Sequence, residues 1–166
     1  MASGLFFDPL VALRAAPLVS STCTLLFAWD QHLFLGILNR PETRTHSKPM
    51  LPAYFKKFFY TGLPMVLGFV TTTTSTAVAN LYTQRAALQA RGSFWWYAAG
   101  ASIAVSHLAF APFIAPSIQA TLEADADGDA NKSLDEWLSV NAIRSLTVDL
   151  GAWIAVTVAV LKTLRV

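Results

Sequence analysis

The chain has 166 residues, of which 54% are hydrophobic and only 13% are charged, and its formal net charge is +2. Soluble domains carry about 25% charged residues, so the composition excludes an ordinary soluble domain and indicates an integral membrane protein. The small net charge argues against nucleic-acid binding, and the single cysteine, Cys23, excludes an intrachain disulfide.

The first predicted membrane span covers about residues 17–39 and follows a short interfacial segment. It carries Trp29, Asp30 and His32, and the two titratable residues are unusual at membrane depth. A basic connection with three prolines follows it, and we expect these prolines to interrupt the helix. Asp30 and His32 are therefore candidates either for a site or for packing between helices.

The second predicted span, about residues 58–82, has a middle rich in hydroxyl side chains. Thr73, Thr76 and Asn80 share one helical face at i, i+3 and i+7. Hydrogen bonding between packed helices is the favoured interpretation of this face, and the lining of a substrate pocket is the alternative.

The third predicted span, about residues 94–118, begins with aromatic residues typical of a membrane interface. A run of small residues, 98–102, follows and predicts close helix packing. His107 lies near the middle of the span and shares a face with Trp96. The pattern therefore predicts a small-residue cleft and an aromatic wall beside His107.

An acidic connection joins the third and fourth spans. Six residues occupy the ligand positions of a calcium-binding loop: Asp125, Asp127, Asp129, Asn131, Ser133 and Glu136. However, Ala130 stands where the turn requires glycine. We therefore predict a solvated acidic turn that ends in a capping box, with Ser133 as the N-cap and Glu136 reaching back to it.

The fourth predicted span, about residues 136–161, places Trp137, Asn141 and Arg144 on one face, with Asp149 to one side. Lipid cannot solvate these groups, so the face must look into the bundle. Arg144 and Asp149 are five residues apart, which is a poor spacing for a pair on an α-helix. We therefore expect Arg144 either to form a structural ion pair with Asp30 or to anchor an anionic ligand oxygen.

Two histidines lie within spans, His32 and His107, and each could be a packing residue or a catalytic base. His107 is the stronger candidate, with Asp30 or Asp149 orienting it. The chain has no HxxxH or ExxH spacing, so no metal site is predicted.

Three stretches resemble a family of small four-span membrane proteins that includes the anthrone oxygenases of fungal polyketide pathways. They are FFYTGLPMVLG, WWYAAGASIAVSHLAFAPF and LDEWLSVNAIRSLTVDLGAW. The resemblance implies that Trp137, Asn141 and Arg144 line the site and that the protein resides in the endoplasmic reticulum. The family often has His where Asn141 stands. An amide cannot act as a base, so either that role passes to His107 or His32, or this chain catalyses a different reaction.

We therefore predict an all-α protein, a membrane four-helix bundle with an acidic loop between its third and fourth helices, formed by a single domain over residues 1–166. The predicted function is oxygenation of a hydrophobic, anthrone-like aromatic compound, with molecular oxygen as co-substrate and no cofactor. A cyclase or isomerase of polyketide- or terpenoid-like substrates is one alternative, and a non-catalytic membrane partner or carrier is another.

The predicted partners are the lipid bilayer and a hydrophobic small molecule; whether the protein forms a homo-oligomer is open. The catalytic candidates are His107, Arg144, Asp30, Asp149 and His32. The substrate-binding candidates are Trp137, Asn141, Trp96, Trp29, Thr73, Thr76 and Asn80.

Overall fold

The computed structural model describes residues 8–124 and 129–165, and all regular structure in these ranges is helical. The helices are α1 (Pro9–Leu38), α2 (Pro41–Ser47), α3 (Leu51–Thr83), α4 (Arg85–Ala90), α5 (Phe94–Ser106), α6 (Ala111–Glu123), α7 (Ala130–Arg144) and α8 (Leu150–Leu164). A 3₁₀ turn, His107–Phe110, joins α5 to α6, and a π-helical turn, Ser145–Asp149, joins α7 to α8.

Four long rods result, because α5 continues through its 3₁₀ turn into α6 and α7 continues through its π turn into α8. All four are long and apolar enough to cross a membrane. Around the bundle, α1 packs on α3, α3 on α5, α5 on α8, and α8 back on α1, while α6 packs on α7. The prediction of an all-α four-helix bundle is thus confirmed.

Two rods begin earlier than the sequence indicated, because prolines start helices here instead of stopping them. Asp8 caps α1 by accepting hydrogen bonds from the backbone N–H groups of Leu10 and Val11, and Pro9 fills the first position. Similarly, Pro52 lies in the first turn of α3, where its missing N–H has no helical partner to lose.

The predicted cap of the fourth rod is wrong. The N-cap is Asp129, whose carboxylate accepts from the backbone N–H of Lys132 at 3.0 Å, so Ser133 already lies inside α7. Asn131 explains the extra turn, because its side chain donates to the Asn39 Oδ1 at 2.6 Å and ties α7 to the end of α1. Of the six positions compared with a calcium-binding loop, Asp125 and Asp127 lie outside the described residues.

The apolar core has two parts, one toward each end of the bundle. Phe55 and Trp137 belong to the part beside α2, and Tyr97 and Val160 belong to the part beside α4. Polar side chains at both ends lock the rods together. For example, Asn80 donates to the Leu13 carbonyl at 2.8 Å. The region between the two core parts holds the site described below.

Gly100 is a point of tight packing between α5 and α8. A Cβ atom added there would lie 2.5 Å from Cγ1 of Val156. In lipid, helices associate through close packing of small residues, so this contact contributes to the association of α5 with α8. The small-residue surface predicted for the third span is therefore real at this position.

Gly100→Ala is expected to destabilise the protein by about 1–3 kcal/mol, because the added methyl overpacks the contact. Combining it with Val156→Ala should recover part of that loss, since the partner methyl groups are removed. Unfolding in detergent, followed by circular dichroism, measures both variants. Additive destabilisation in the double variant would contradict this packing.

Candidate active site

Four buried polar side chains form one hydrogen-bonded cluster in the middle of the bundle. Asp149 is its centre. One carboxylate oxygen lies 2.8 Å from Nδ1 of His107, and the other accepts from Nε of Arg144 at 3.3 Å. Arg144 also donates to the Asn141 side-chain oxygen at 2.6 Å. All four residues are at most 6% exposed, so their polar groups contact one another instead of water.

The π-helical turn brings Arg144 and Asp149 together. Their spacing of five residues separates side chains on a regular α-helix, but the wider π turn, with its i→i+5 backbone hydrogen bonds, brings the two side chains toward one face. Insertion of such a turn is common at functional sites. Of the two expectations for Arg144, the ion pair with Asp30 is therefore wrong, because Arg144 pairs with a carboxylate of its own rod.

A second helix irregularity positions His107. The third rod tightens to a 3₁₀ turn that begins at His107, just before Pro112. Pro112 has no N–H to donate to the carbonyl of Leu108, so the regular α-helical ladder cannot continue through this point. The imidazole then engages Asp149 through Nδ1, and His107 also lines the neighbouring cavity.

A cavity of about 130 Å³ lies beside the cluster, between α3 and α6. Four of its lining residues have polar groups: Gln31, His107, Trp137 and Arg144. The other lining residues are apolar or glycine: Phe58, Phe59, Gly62, Leu63, Val66, Leu67, Leu108, Ala111 and Ile114. Small-molecule sites typically combine a mainly apolar wall with a few convergent polar groups.

The outer rim of the cavity lies on the surface of the bundle. Leu63, Leu67 and Leu108 are 39%, 42% and 45% exposed, and all three belong to rods that are long enough to span a membrane. In a bilayer this rim faces hydrocarbon. The rim of the cavity therefore lies on the apolar outer surface of these rods.

Three predicted residues near the end of α1 lie away from this cavity. Trp29, Asp30 and His32 are exposed on the outside of the bundle. Trp29 and His32 border a separate apolar groove with Leu146 of the fourth rod. Of the two carboxylates expected to orient His107, Asp149 does so and Asp30 does not.

Trp96 is also remote from the site, although it shares a helical face with His107. Eleven residues of helix separate them by about 16 Å along the axis. The cleft expected between them is filled, because Gly100 packs against Val156 and Gly151 lies near Ile103. Trp96 and His107 share a helical face but lie at different depths along the rod.

The three residues predicted to share a face of α3 have different surroundings in the structure. Thr73 borders a small void that Asp149 also lines. Thr76 and Asn80 instead bond to backbone carbonyls, Thr76 within its own helix and Asn80 to α1. Thr76 and Asn80 therefore form hydrogen bonds within and between helices, as the favoured interpretation expected.

The sequence prediction missed Gln31, although it lies between two residues that were considered. It lines the cavity and is 7% exposed. The buried residues of α1 include Thr24, Ala28, Gln31 and Leu35, a helical spacing that marks its inner face. That periodicity was the available signal, and it places Asp30 and His32 off the inner face.

Among residues 8–124 and 129–165, no group of three or more His, Cys, Asp or Glu side chains lies close enough to hold a metal ion. The expectation that no cofactor is used stays a prediction.

Sequence comparison finds relatives that match almost the whole chain. Epoxidase pydX of an Acremonium species is 30% identical over 94% of this chain and 96% of its own length. The probable epoxidase scpX of Mollisia scopiformis is 31% identical over 92% and 96% of the two chains. Epoxidase gkaX of Penicillium citrinum is 31% identical over 86% and 88%. No protein-family model matches the chain, and no solved structure matches it.

Proposed function

The chain belongs to the family of these fungal epoxidases, and on that premise we propose that it is a membrane enzyme of secondary metabolism that oxygenates a hydrophobic, acidic substrate in the cavity beside His107. The observation that carries the proposal is the His107–Asp149–Arg144 cluster on the wall of an apolar cavity. The anthrone oxygenases of the sequence resemblance are not among these relatives, so an anthrone-like aromatic substrate stays a prediction.

His107 is suited to act as the general base. Asp149 holds Nδ1 and thereby orients the ring, so that Nε2 can accept a proton from a substrate in the cavity. Arg144 is the electrostatic stabiliser for the substrate oxyanion that results. Asn141 cannot titrate, but its oxygen fixes the Arg144 guanidinium.

The charges in the site balance before and after this proton transfer. Arg144 and Asp149 form an ion pair before the transfer, and the proposed role of general base requires His107 to start as the neutral imidazole. After the transfer, the imidazolium of His107 is balanced by the substrate enolate or phenolate. The transfer separates charge inside a mainly apolar cavity, and the guanidinium of Arg144 lowers the cost of the anion formed there.

The electrons for the reaction can come from the substrate itself. The enolate transfers two electrons to molecular oxygen as a C–O bond forms, giving a peroxide on carbon. The O–O bond then breaks: one oxygen stays with the substrate as an epoxide or a ketone, and the other leaves as water with two substrate hydrogens. One substrate and one O₂ thus give one oxygenated product and one water.

The substrate is expected to enter from the bilayer through the rim between α3 and α6. Ala111 is an exposed residue on that rim. Ala111→Trp should therefore raise KM about tenfold or more with little change in melting temperature, because an indole would fill the opening. Steady-state kinetics in lipid nanodiscs measures the effect, and Ala115→Trp, on the same helix outside the cavity lining, is the matched control.

Expression of this chain in a yeast strain that lacks related pathways tests the function directly. Microsomes or purified protein are supplied with enolisable aromatic and polyketide substrates under ¹⁸O₂. One labelled oxygen in the product, without an added reductant, supports the proposal. An isomer or cyclised product of unchanged composition would instead support the cyclase alternative, and no product with any substrate in an assembled protein would favour the carrier alternative.

Two expectations of the sequence accompany this proposal. The endoplasmic reticulum is the expected membrane, and fluorescence microscopy of a tagged chain tests it. The state of assembly, monomer or homo-oligomer, can be read from the mass of the protein in nanodiscs.

A further inference from the structure

Two polar atoms of cavity-lining residues have no hydrogen-bond partner among the described residues. They are the side-chain oxygen Oε1 of Gln31 and the indole Nε1 of Trp137. The two residues are 7% and 4% exposed. Buried polar groups are almost always hydrogen-bonded, so each unpaired atom calls for an explanation.

One of the two unpaired atoms is a hydrogen-bond acceptor and the other is a donor, which indicates the polar groups that a ligand must carry. Other buried polar atoms without partners, such as Oγ1 of Thr73, belong to residues that do not line this cavity. Gln31 and Trp137 come from different rods, α1 and α7, and both line the cavity that His107 and Arg144 also line. Neither atom is itself accessible from the cavity, so the two side chains must turn for a ligand there to pair both atoms while its oxyanion meets Arg144.

We propose that Gln31 is a specificity-determining residue that accepts a hydrogen bond from a hydroxyl or N–H group of the substrate, while Trp137 donates to a substrate carbonyl. This inference rests on the proposed function and names its substrate class. The polar part of the molecule carries a carbonyl and a separate hydrogen-bond donor, and the remainder is apolar. Phe58, Phe59 and Ile114 supply the matching apolar wall.

The reason that this arrangement selects substrates is the cost of an unmatched polar atom. An apolar analogue leaves the Gln31 oxygen and the indole N–H buried and unpaired, whereas the matching molecule pairs both. Sites built to bond a hydroxyl or N–H group therefore reject analogues that lack it far more strongly than a hydrophobic pocket rejects a change of size.

Binding of small bicyclic probes to the purified protein in detergent tests the proposal without turnover. The probes are the 5-, 6- and 7-hydroxy-1-tetralones, their methyl ethers, and tetralin, all under argon. Calorimetry should show at least one hydroxytetralone binding about tenfold tighter than its methyl ether. In Gln31→Leu that preference should vanish, with the affinity for the methyl ether unchanged or improved.

Trp137→Phe should selectively weaken binding of the tetralones relative to tetralin, because only the carbonyl contact is lost. Gln89→Leu, at an exposed position on α4, is the matched control and should retain every preference. The melting temperature gives a further readout. Gln31→Leu should keep or raise it, because the unpaired oxygen is removed, whereas a structural role for Gln31 would lower it.

Two results would overturn the inference: no preference for any hydroxytetralone in the wild-type protein, or a preference that Gln31→Leu preserves. The outcome is distinguishable from failure of the proposed function. A hydroxyl preference that depends on Gln31 without any oxygen incorporation would leave the binding inference standing and reject the oxygenase. Oxygen incorporation that is unchanged in Gln31→Leu would leave the oxygenase standing and reject the binding inference.

Discussion

His107→Gln is expected to lower turnover by about 10²–10⁴-fold while leaving the bundle folded. Glutamine can still hydrogen-bond to Asp149, so the cluster keeps a partner at this position. It cannot accept the proton, however, and that is the role assigned to the imidazole. Product formation per assembled protein, measured in nanodiscs with the substrate found by the expression test, gives the ratio.

His32→Gln is the matched control for this prediction, because both histidines lie in membrane-spanning rods. His32 is exposed on the outside of the bundle and does not line the cavity, so its replacement should leave turnover unchanged. The opposite ranking, with His32→Gln inactive and His107→Gln active, would transfer the site to the groove beside Trp29.

Asp149→Asn is expected to destabilise the protein by about 3–5 kcal/mol and to abolish activity. The substitution leaves the guanidinium of Arg144 buried without its carboxylate and removes the group that orients His107. Thermal unfolding in detergent measures the first effect. Asp135→Asn is the control, because Asp135 makes a partly exposed ion pair with Arg44, and such pairs contribute about 1 kcal/mol or less.

A double variant separates the structural and chemical roles of the pair. Replacing Arg144 by Met and Asp149 by Leu removes both charges together, which is often neutral for stability. We expect most of the lost melting temperature to return while activity stays absent. Recovery of activity in the double variant would show that neither charge takes part in the reaction.

The fold class follows from composition and length, because a chain this apolar can satisfy its backbone in lipid only by forming helices or a closed barrel. Four apolar stretches of spanning length then predict four rods. The residues at which the rods begin were harder to predict from the sequence. Pro9 and Pro52 could stop a helix or start one, and the choice depended on whether a cap or a tertiary contact lay upstream.

The sequence by itself determined that Arg144, Asn141 and Trp137 face the interior, because their spacing leaves no other face for charge in a membrane. It also made His107 the stronger of two candidates for a base, which stays a prediction. Only the tertiary structure decided which groups meet. A π turn brings Asp149 toward Arg144, and Asp30 is exposed, so a pair within one rod replaces the pair with Asp30 that was one of the two expectations. The physical reason is that residue spacing predicts contacts only for a regular helix, and this helix departs from regularity at the site itself.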